Sequence, residues 1–211
     1  MRTLSFLDKI IMQVDGALNT VFSDQSQTRP NPADDVADVE LTAEEQRKSQ
    51  GFMRVNHTGE VCAQALYRGQ LAFAKEGKTA DMLEQAAIEE TDHLAWTHQR
   101  LQQLDTHRSY LNFFWYVKSF GLGMLAAKCG DKWSLGFVEE TERQVSDHLT
   151  SHLDRLPEAD LRSRAIVEQM RDDEEQHGAQ AKAAGAQELP TFVKCLMTLQ
   201  SKVMTTIAYY L

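Results

Sequence analysis

Two Glu-x-x-His pairs, Glu90-x-x-His93 and Glu174-x-x-His177, are the residues of this chain best placed by type and spacing to do chemistry. Of the seven histidines, only these two follow a glutamate by three positions. On a helix, positions i and i+3 share a face about one turn apart, so a carboxylate and an imidazole set that way reach one metal ion. One pair is weak evidence, because surface helices carry many Glu and His. Two pairs mean more if neighbouring helices each add a buried Glu. Four Glu and two His from four helices then make a donor set for two metal ions inside a bundle.

The elements that must carry these residues are helices. Ala, Leu, Glu and Gln are plentiful in the 211 residues, whereas Pro and Gly number only 4 and 11. The length fits one domain with a sizeable core, with a short extra segment before it. Residues 4–22 keep helical apolar spacing through Leu7, Ile10, Ile11, Val14, Leu18, Val21 and Phe22, either to pack on the domain or to lie on a membrane surface. Residues 23–41, with Arg29-Pro30-Asn31-Pro32, read as a loop, so 1–41 form an amphipathic helix and linker and 42–211 the main domain. Thr42 with Glu45 forms a capping box that opens a long helix to about Lys75. Gly51, Gly59 and Gly69 inside it are tolerable if a backbone or ligand comes close. After a turn at Glu76-Gly77-Lys78, Thr79 caps a second helix to about Leu104. A third runs from about Asp131 to Leu156 and a fourth from Asp160 to Ala184. Pro190 opens a last helix with Phe192, Val193, Leu196, Leu199, Val203, Ile207 and Tyr210 on its apolar side.

Between the two hairpins, residues 105–130 are dense in aromatic and aliphatic side chains. Asn112 and Lys118 interrupt the run, so no transmembrane segment is expected. The stretch reads as a buried connecting helix, or as an apolar surface for a bilayer or a lipophilic substrate. Trp115, Tyr116 and Lys118 suit a membrane interface.

Hairpin geometry locates the two further glutamates. Residues equally far from a turn lie at equal height, at about 1.5 Å per residue. Glu60, 17 residues before Gly77, faces position 94, the level of Glu90 and His93. Glu174, 16 residues beyond Glu158, faces Glu142. Glu139 and Glu140 compete, but Glu142 fills the gap in the stripe Leu135, Val138, Val145, Leu149, Leu153 and Leu156. A carboxylate on a buried stripe needs a partner to offset its desolvation, and metal is such a partner. Glu139 and Glu140 then read as flanking surface groups. The fourth helix repeats the pattern, with Ile166, Val167 and Met170 leading into Glu174 and His177 and Ala181 following. Spans of 30 residues from Glu60 to Glu90 and 32 from Glu142 to Glu174 imply a pseudo-twofold pair of hairpins joined by a long crossover.

Four carboxylates and two neutral imidazoles carry a formal charge that two divalent ions cancel, and suit iron or manganese better than soft metals. Glu90 and Glu174, near the pseudo-axis, would bridge both ions. Glu60 with His93, and Glu142 with His177, would be terminal. Open positions remain for O2 and water, and two ferrous ions can supply two electrons to O2. A ligating imidazole usually gives its other N–H to a carboxylate. Asp173 and Glu89 are the candidates for His93 and His177 respectively, with surface salt bridges as the alternative. His148 faces roughly into the bundle and is a candidate supporting or substrate group, or else a plain core histidine.

The net charge of −9 argues against nucleic acid as a partner. The scattered Cys62, Cys129 and Cys195 suggest a reducing compartment without a disulfide framework. The N-terminus lacks the pattern of an export signal or organelle presequence, which points to a bacterial cytoplasm.

The stretch Arg54-Val55-Asn56-His57-Thr58-Gly59-Glu60, continuing through Ala63, Tyr67, Gly69 and Gln70, resembles the demethoxyubiquinone hydroxylase family of ubiquinone biosynthesis. Gly130-Asp131-Lys132, Val138-Glu139-Glu140 and the two Glu-x-x-His pairs add to the resemblance, which runs from about residue 50 to the C-terminus. It implies an all-α, ferritin-like four-helix bundle with a crossover and extra terminal helices, a centre of two iron ions, and peripheral attachment at the cytoplasmic face of the cell membrane. The implied reaction is O2-dependent hydroxylation of a demethoxyubiquinol ring, the step before the last O-methylation. The family's ligand positions fall on Glu60, Glu90, His93, Glu142, Glu174 and His177, and the family also has a histidine matching His148. Other ubiquinone-biosynthesis proteins and further copies of the chain are candidate partners. The competing readings are an iron-storage bundle, which should lack the 110–125 apolar patch, and a related di-metal enzyme acting on peroxide.

Overall fold

The computed structural model of the chain describes residues 5–74 and 77–211. Among these, seven helices and no strand occur: α1 (Phe6–Phe22), α2 (Ala43–Leu71), α3 (Lys78–Gln103), α4 (Asn112–Lys128), α5 (Asp131–Arg155), α6 (Leu161–Ala183) and α7 (Thr191–Tyr210). The start of the first helix at residue 4 lies outside the described residues, as do Lys75 and Glu76 and the side chain of Ile10. Hairpins α2–α3 and α5–α6 pack side by side, α4 is the crossover laid along α2, and α7 rests on α2 and α5. This is the ferritin-like bundle expected.

Local chemistry sets the boundaries. Thr42 accepts from Glu45 N while the Glu45 carboxylate bonds back to Thr42 N, and Ser5 with Asp8 does the same for α1. Two boundaries differ from expectation. α2 ends at Leu71, and α3 starts at Lys78 behind Gly77 rather than at a Thr79 cap. Gly77 holds φ +140°, a conformation costly for residues with a Cβ, so the chain reverses there before Thr79 is reached.

Two apolar layers fill the bundle. Phe52, Met53, Trp96, Leu101, Leu149, Ile166 and Met170 form one, and Ala63, Tyr67, Leu83, Val138 and Ala181 the other. In α2, α3, α5 and α6 alike, the first layer lies on one side of the candidate ligands along the chain and the second on the other. The candidate ligands thus fill the space between two apolar layers.

α2 and α4 touch backbone to backbone. A Cβ on Gly69 would overlap the Phe120 carbonyl, and one on Gly123 would overlap the Leu66 carbonyl. Gly51 faces the Tyr209 ring, whereas Gly59 has nothing within 4 Å of where its Cβ would stand.

The apolar surfaces divide unevenly. α4 buries Trp115, Tyr116, Ser119, Gly123 and Ala126 but exposes Phe113, Phe114, Val117 and Leu125. Trp115 and Tyr116 are therefore core residues, not the interfacial anchors their composition suggested. The α1 helix joins the core at Val21 and leaves Leu7, Ile11, Val14, Leu18 and Phe22 exposed; α7 exposes Phe192, Leu196, Leu199, Val203 and Tyr210. No described helix is long and apolar enough to cross a membrane. The segment 23–41 lacks regular structure but is stitched to the bundle, with Ala33 in the core, Asn31 bonded to Gln99 and Arg162 bonded to the Val36 carbonyl.

Candidate metal centre

The structure brings Glu60, Glu90, His93 and Glu174 into one group, and Glu90, Glu142, Glu174 and His177 into another, each with donor atoms within 4.8 Å of one another. Glu90 and Glu174 belong to both. All six side chains are buried, Glu90 and His93 completely. His93 Nδ1 lies 3.3 Å from Glu60 Oε2, 3.4 Å from Glu90 Oε2 and 3.2 Å from Glu174 Oε1. His177 Nδ1 lies 3.3 Å from Glu174 Oε2 and 3.7 Å from Glu90 Oε1. Donors that share an ion at roughly 2.0–2.2 Å stand about 3 Å apart, so little movement is needed to close on a metal.

Unpaired polar atoms identify what the cluster accommodates. Glu60 Oε2, both oxygens of Glu90, His93 Nδ1, Glu142 Oε2 and Glu174 Oε1 are buried with no hydrogen-bond partner. One such atom costs about 1–3 kcal/mol, and an unpaired buried carboxylate more. Cations placed among these atoms would satisfy all of them together. The cluster can hold metal, and the hard oxygen and imidazole donors fit that use.

Protonation is skewed in the same sense. Burial and the Glu90 charge push the Glu60 carboxyl well above the ordinary range, and burial with Glu174 does the same to Glu142. Glu174 moves down; burial opposes this, but the hydrogen bond with His177 and the nearness of His93 prevail. Burial also opposes a charge on the histidines, yet the hydrogen bond to Asp173 and the nearby carboxylates of Glu174, Glu60 and Glu90 raise His93. Hydrogen bonds to Glu174 and Glu89, with the charge of Glu90, raise His177 to about 9. Without cations the cluster collects protons instead.

The outer nitrogens are held crosswise. His93 Nε2, on α3, lies 2.9 Å from Asp173 Oδ2 on α6. His177 Nε2, on α6, lies 2.9 Å from Glu89 Oε2 on α3. Both Nδ1 atoms are thereby turned to the cluster.

Several residues differ from expectation or were not anticipated. Glu139 is half-buried beside Lys182, but Glu140 is buried, bonded to Arg143 and Gln144, and so is not a surface group. His148 does not join the cluster: its Nε2 lies 2.9 Å from Ser201 Oγ on α7. Tyr67 donates its hydroxyl to Glu142 Oε1, and burial with the Glu142 charge keeps that hydroxyl protonated. Tyr67 stands two turns after Glu60 on the same face, a spacing that could have revealed it. Arg29, from the irregular segment, pairs with Asp92 at 2.8 Å and with Asp173 at 2.9 Å. No periodicity announces an arginine in a loop.

An apolar cavity of about 110 Å³ lies between α2, α4, α5 and α7, lined by chain neighbours of Glu60 and Glu142 but by none of the six cluster residues. Gly59, Cys62 and Ala63 line it next to Glu60, Thr141 next to Glu142, and Met197 and Met204 from α7. Thr141 Oγ1 donates to the Phe137 carbonyl and Ser201 engages His148, so two of the three hydroxyls in the wall, Ser119 being the third, already have partners.

A helical bundle with a buried carboxylate–histidine metal site between two apolar layers defines the ferritin-like carboxylate proteins. Within that class the chain belongs to the family described as ubiquinone biosynthesis protein COQ7, whose model matches residues 47–208. The chain is 53% identical over 210 residues to a 3-demethoxyubiquinol 3-hydroxylase of Coxiella burnetii (strain RSA 331 / Henzerling II), covering 100% of this chain and 98% of that one. It is 52% identical over 202 residues to the protein of that name from Azoarcus sp. (strain BH72), covering 96% and 98%. A third, from Xanthomonas oryzae pv. oryzae (strain PXO99A), is 51% identical over 210 residues, covering 100% and 97%. Two of these similarities therefore extend through the N-terminal 40 residues, beyond the stretch where the motifs lie.

Proposed function

We propose that this chain is an O2-dependent monooxygenase that hydroxylates the ring of a demethoxyubiquinol in ubiquinone biosynthesis. The observation that carries the reading is the pair of donor groups sharing Glu90 and Glu174, with unpaired oxygens, set beside an apolar cavity. Two iron ions would be held by Glu60, Glu90, His93, Glu142, Glu174 and His177, of which Glu90 and Glu174 belong to both donor groups. Bound iron supplies the electrons that activate O2. The chain's own residues do the rest. Asp173 and Glu89 aim the imidazoles and raise their basicity, and Tyr67 fixes one oxygen of Glu142, leaving the other for metal. The two apolar layers exclude water. Gly59 leaves room beside Glu60 for a ring, and the flexible Met197 and Met204 can adjust around a prenyl tail. The exposed Phe113, Phe114, Val117 and Leu125 weigh against a storage cage, whose outer surface should be polar. The test is anaerobic loading of metal-free protein with ferrous iron, then addition of O2 and a demethoxyquinol. A product heavier by one oxygen is expected, and iron uptake without that product would refute the reading.

The same exposed surface on α4, with that of α1, supports peripheral attachment to a membrane, and we propose the cytoplasmic face of the cell membrane as its location. Phe113→Ser with Phe114→Ser should weaken flotation with liposomes while leaving the helical spectrum intact. Trp115 is unsuitable for this test because it is buried. Unchanged flotation would remove the α4 surface from the membrane contact.

A further inference from the structure

A second cavity, of about 320 Å³, opens between α5 and α6, on a different face of α5 from the apolar one. Glu142 and Glu174 form part of its wall, and each carries a buried oxygen with no partner. The apolar cavity contains none of the six cluster residues and no charged side chain in its wall. The two openings therefore offer different surroundings to whatever approaches the centre.

The rim of the α5–α6 cavity is carboxylate-rich and loosely tied. Glu139, Asp147 and Glu175 stand there with the cations Arg143 and Lys182. Asp147 pairs with Arg143 at 2.7 Å, both well exposed, and Glu139 pairs with Lys182 at 3.4 Å. Ion pairs so placed contribute little. Glu175 reaches across the mouth to Ser146 Oγ at 3.3 Å. Gly178 and Ala179 keep the mouth free of bulk; a Cβ on Gly178 would stand 3.5 Å from that of Glu142.

We propose that this cleft is the port through which divalent metal ions reach the centre. The inference rests on the metal-centre reading above. A hydrated divalent ion sheds water at a high cost unless oxygens replace it step by step. The cleft provides such a path, from the rim carboxylates to the unpaired oxygens of Glu142 and Glu174. The apolar cavity provides none, and is left to the organic substrate. Metal and substrate thus approach by separate routes, and the group containing Glu142 and His177 is the first an entering ion meets.

The test is stopped-flow uptake of Co²⁺ by metal-free protein, followed by its absorption bands and by metal content at the end point. Glu139→Gln with Glu175→Gln should slow uptake roughly tenfold at low ionic strength, less at high salt, because steering by rim charge is lost. Ala179→Trp should slow uptake at every salt concentration by blocking the mouth. Both proteins should finally bind as much Co²⁺ as the parent, with the same spectrum. Unchanged rates in both variants would overturn the port, as would slow uptake in a Met204→Trp protein, whose apolar cavity is blocked instead. Lost stoichiometry in the Glu139/Glu175 variant would make those residues ligands and also overturn it. A parent chain that takes up no Co²⁺ would refute the metal-centre reading itself.

Discussion

Crosswise support of the two imidazoles makes a prediction that sequence neighbours would not. Asp173 precedes Glu174 and lies near His177 in the chain, yet its carboxylate is bonded to His93 at 2.9 Å. Asp173→Asn keeps an acceptor for Nε2–H but removes the charge that makes Nδ1 basic. Asp173→Ala removes both. Supporting carboxylates of this kind are worth about 10–100-fold in metal affinity. Asp173→Asn should fall near tenfold and Asp173→Ala near a hundredfold, or about 1.4 and 2.8 kcal/mol. The fold should tolerate both, because Arg29 keeps Asp92 at 2.8 Å after losing Asp173. The assay is Co²⁺ titration against a competing chelator, in a double-mutant cycle with each histidine. Asp173→Asn should couple to His93→Ala and be additive with His177→Ala. Coupling to His177→Ala instead, or no change with Asp173→Ala in a folded protein, would refute the crossed arrangement.

Glu142→Ala should reduce bound metal from two ions to one or fewer, by elemental analysis of reconstituted protein, whereas Glu139→Ala should retain both; the reverse would move the ligand. Metal-free stability should fall as pH rises from about 6.5 through 9. His177, raised from 6.5 to about 9, contributes fully below about pH 6.5 and loses that contribution as pH climbs through about 9. The raised Glu60 and Glu142 act with the same sign, since their protonated forms are favoured by folding. Metal replaces these protons, so the rise in melting temperature given by Co²⁺ should grow between pH 6.5 and 9. An increment that shrinks over that window would contradict the assignment. Gly69→Ala and Gly123→Ala should each destabilise by about 1–3 kcal/mol in chemical denaturation, because each Cβ meets a carbonyl across the α2–α4 crossing. Neutral results would mean that the helices stand further apart.

What could be read in advance depended on period. Antiparallel hairpins convert chain distance into height, so Glu60 and Glu142 could be paired with Glu-x-x-His partners without coordinates. The helix count and the crossover followed from the same periodicity. Glu140 escaped because apolar spacing cannot see that Arg143 and Gln144 shelter a carboxylate at the bundle edge. Trp115 escaped because composition does not say which face of α4 meets α2. Arg29 was beyond reach: an irregular segment obeys no repeat, and its role exists only once Asp92 and Asp173 are side by side.

The crossed pairing bears on how the centre comes together. Neither hairpin completes its own site, since the histidine of α3 needs Asp173 of α6 and the histidine of α6 needs Glu89 of α3. Glu142 of α5 is likewise held by Tyr67 of α2. Apolar layers above and below pull the hairpins together, while the carboxylates between them resist until protons or cations arrive. Binding of metal would therefore be part of the free energy of docking one hairpin on the other. The two halves are not equivalent in this respect. The His93 side is backed by Arg29 through Asp173, whereas the Glu142 side has a neutral tyrosine and opens to the α5–α6 cleft. Ions in the two positions should thus differ in affinity despite near-identical ligands, the one beside His93 and Asp173 being the harder to remove.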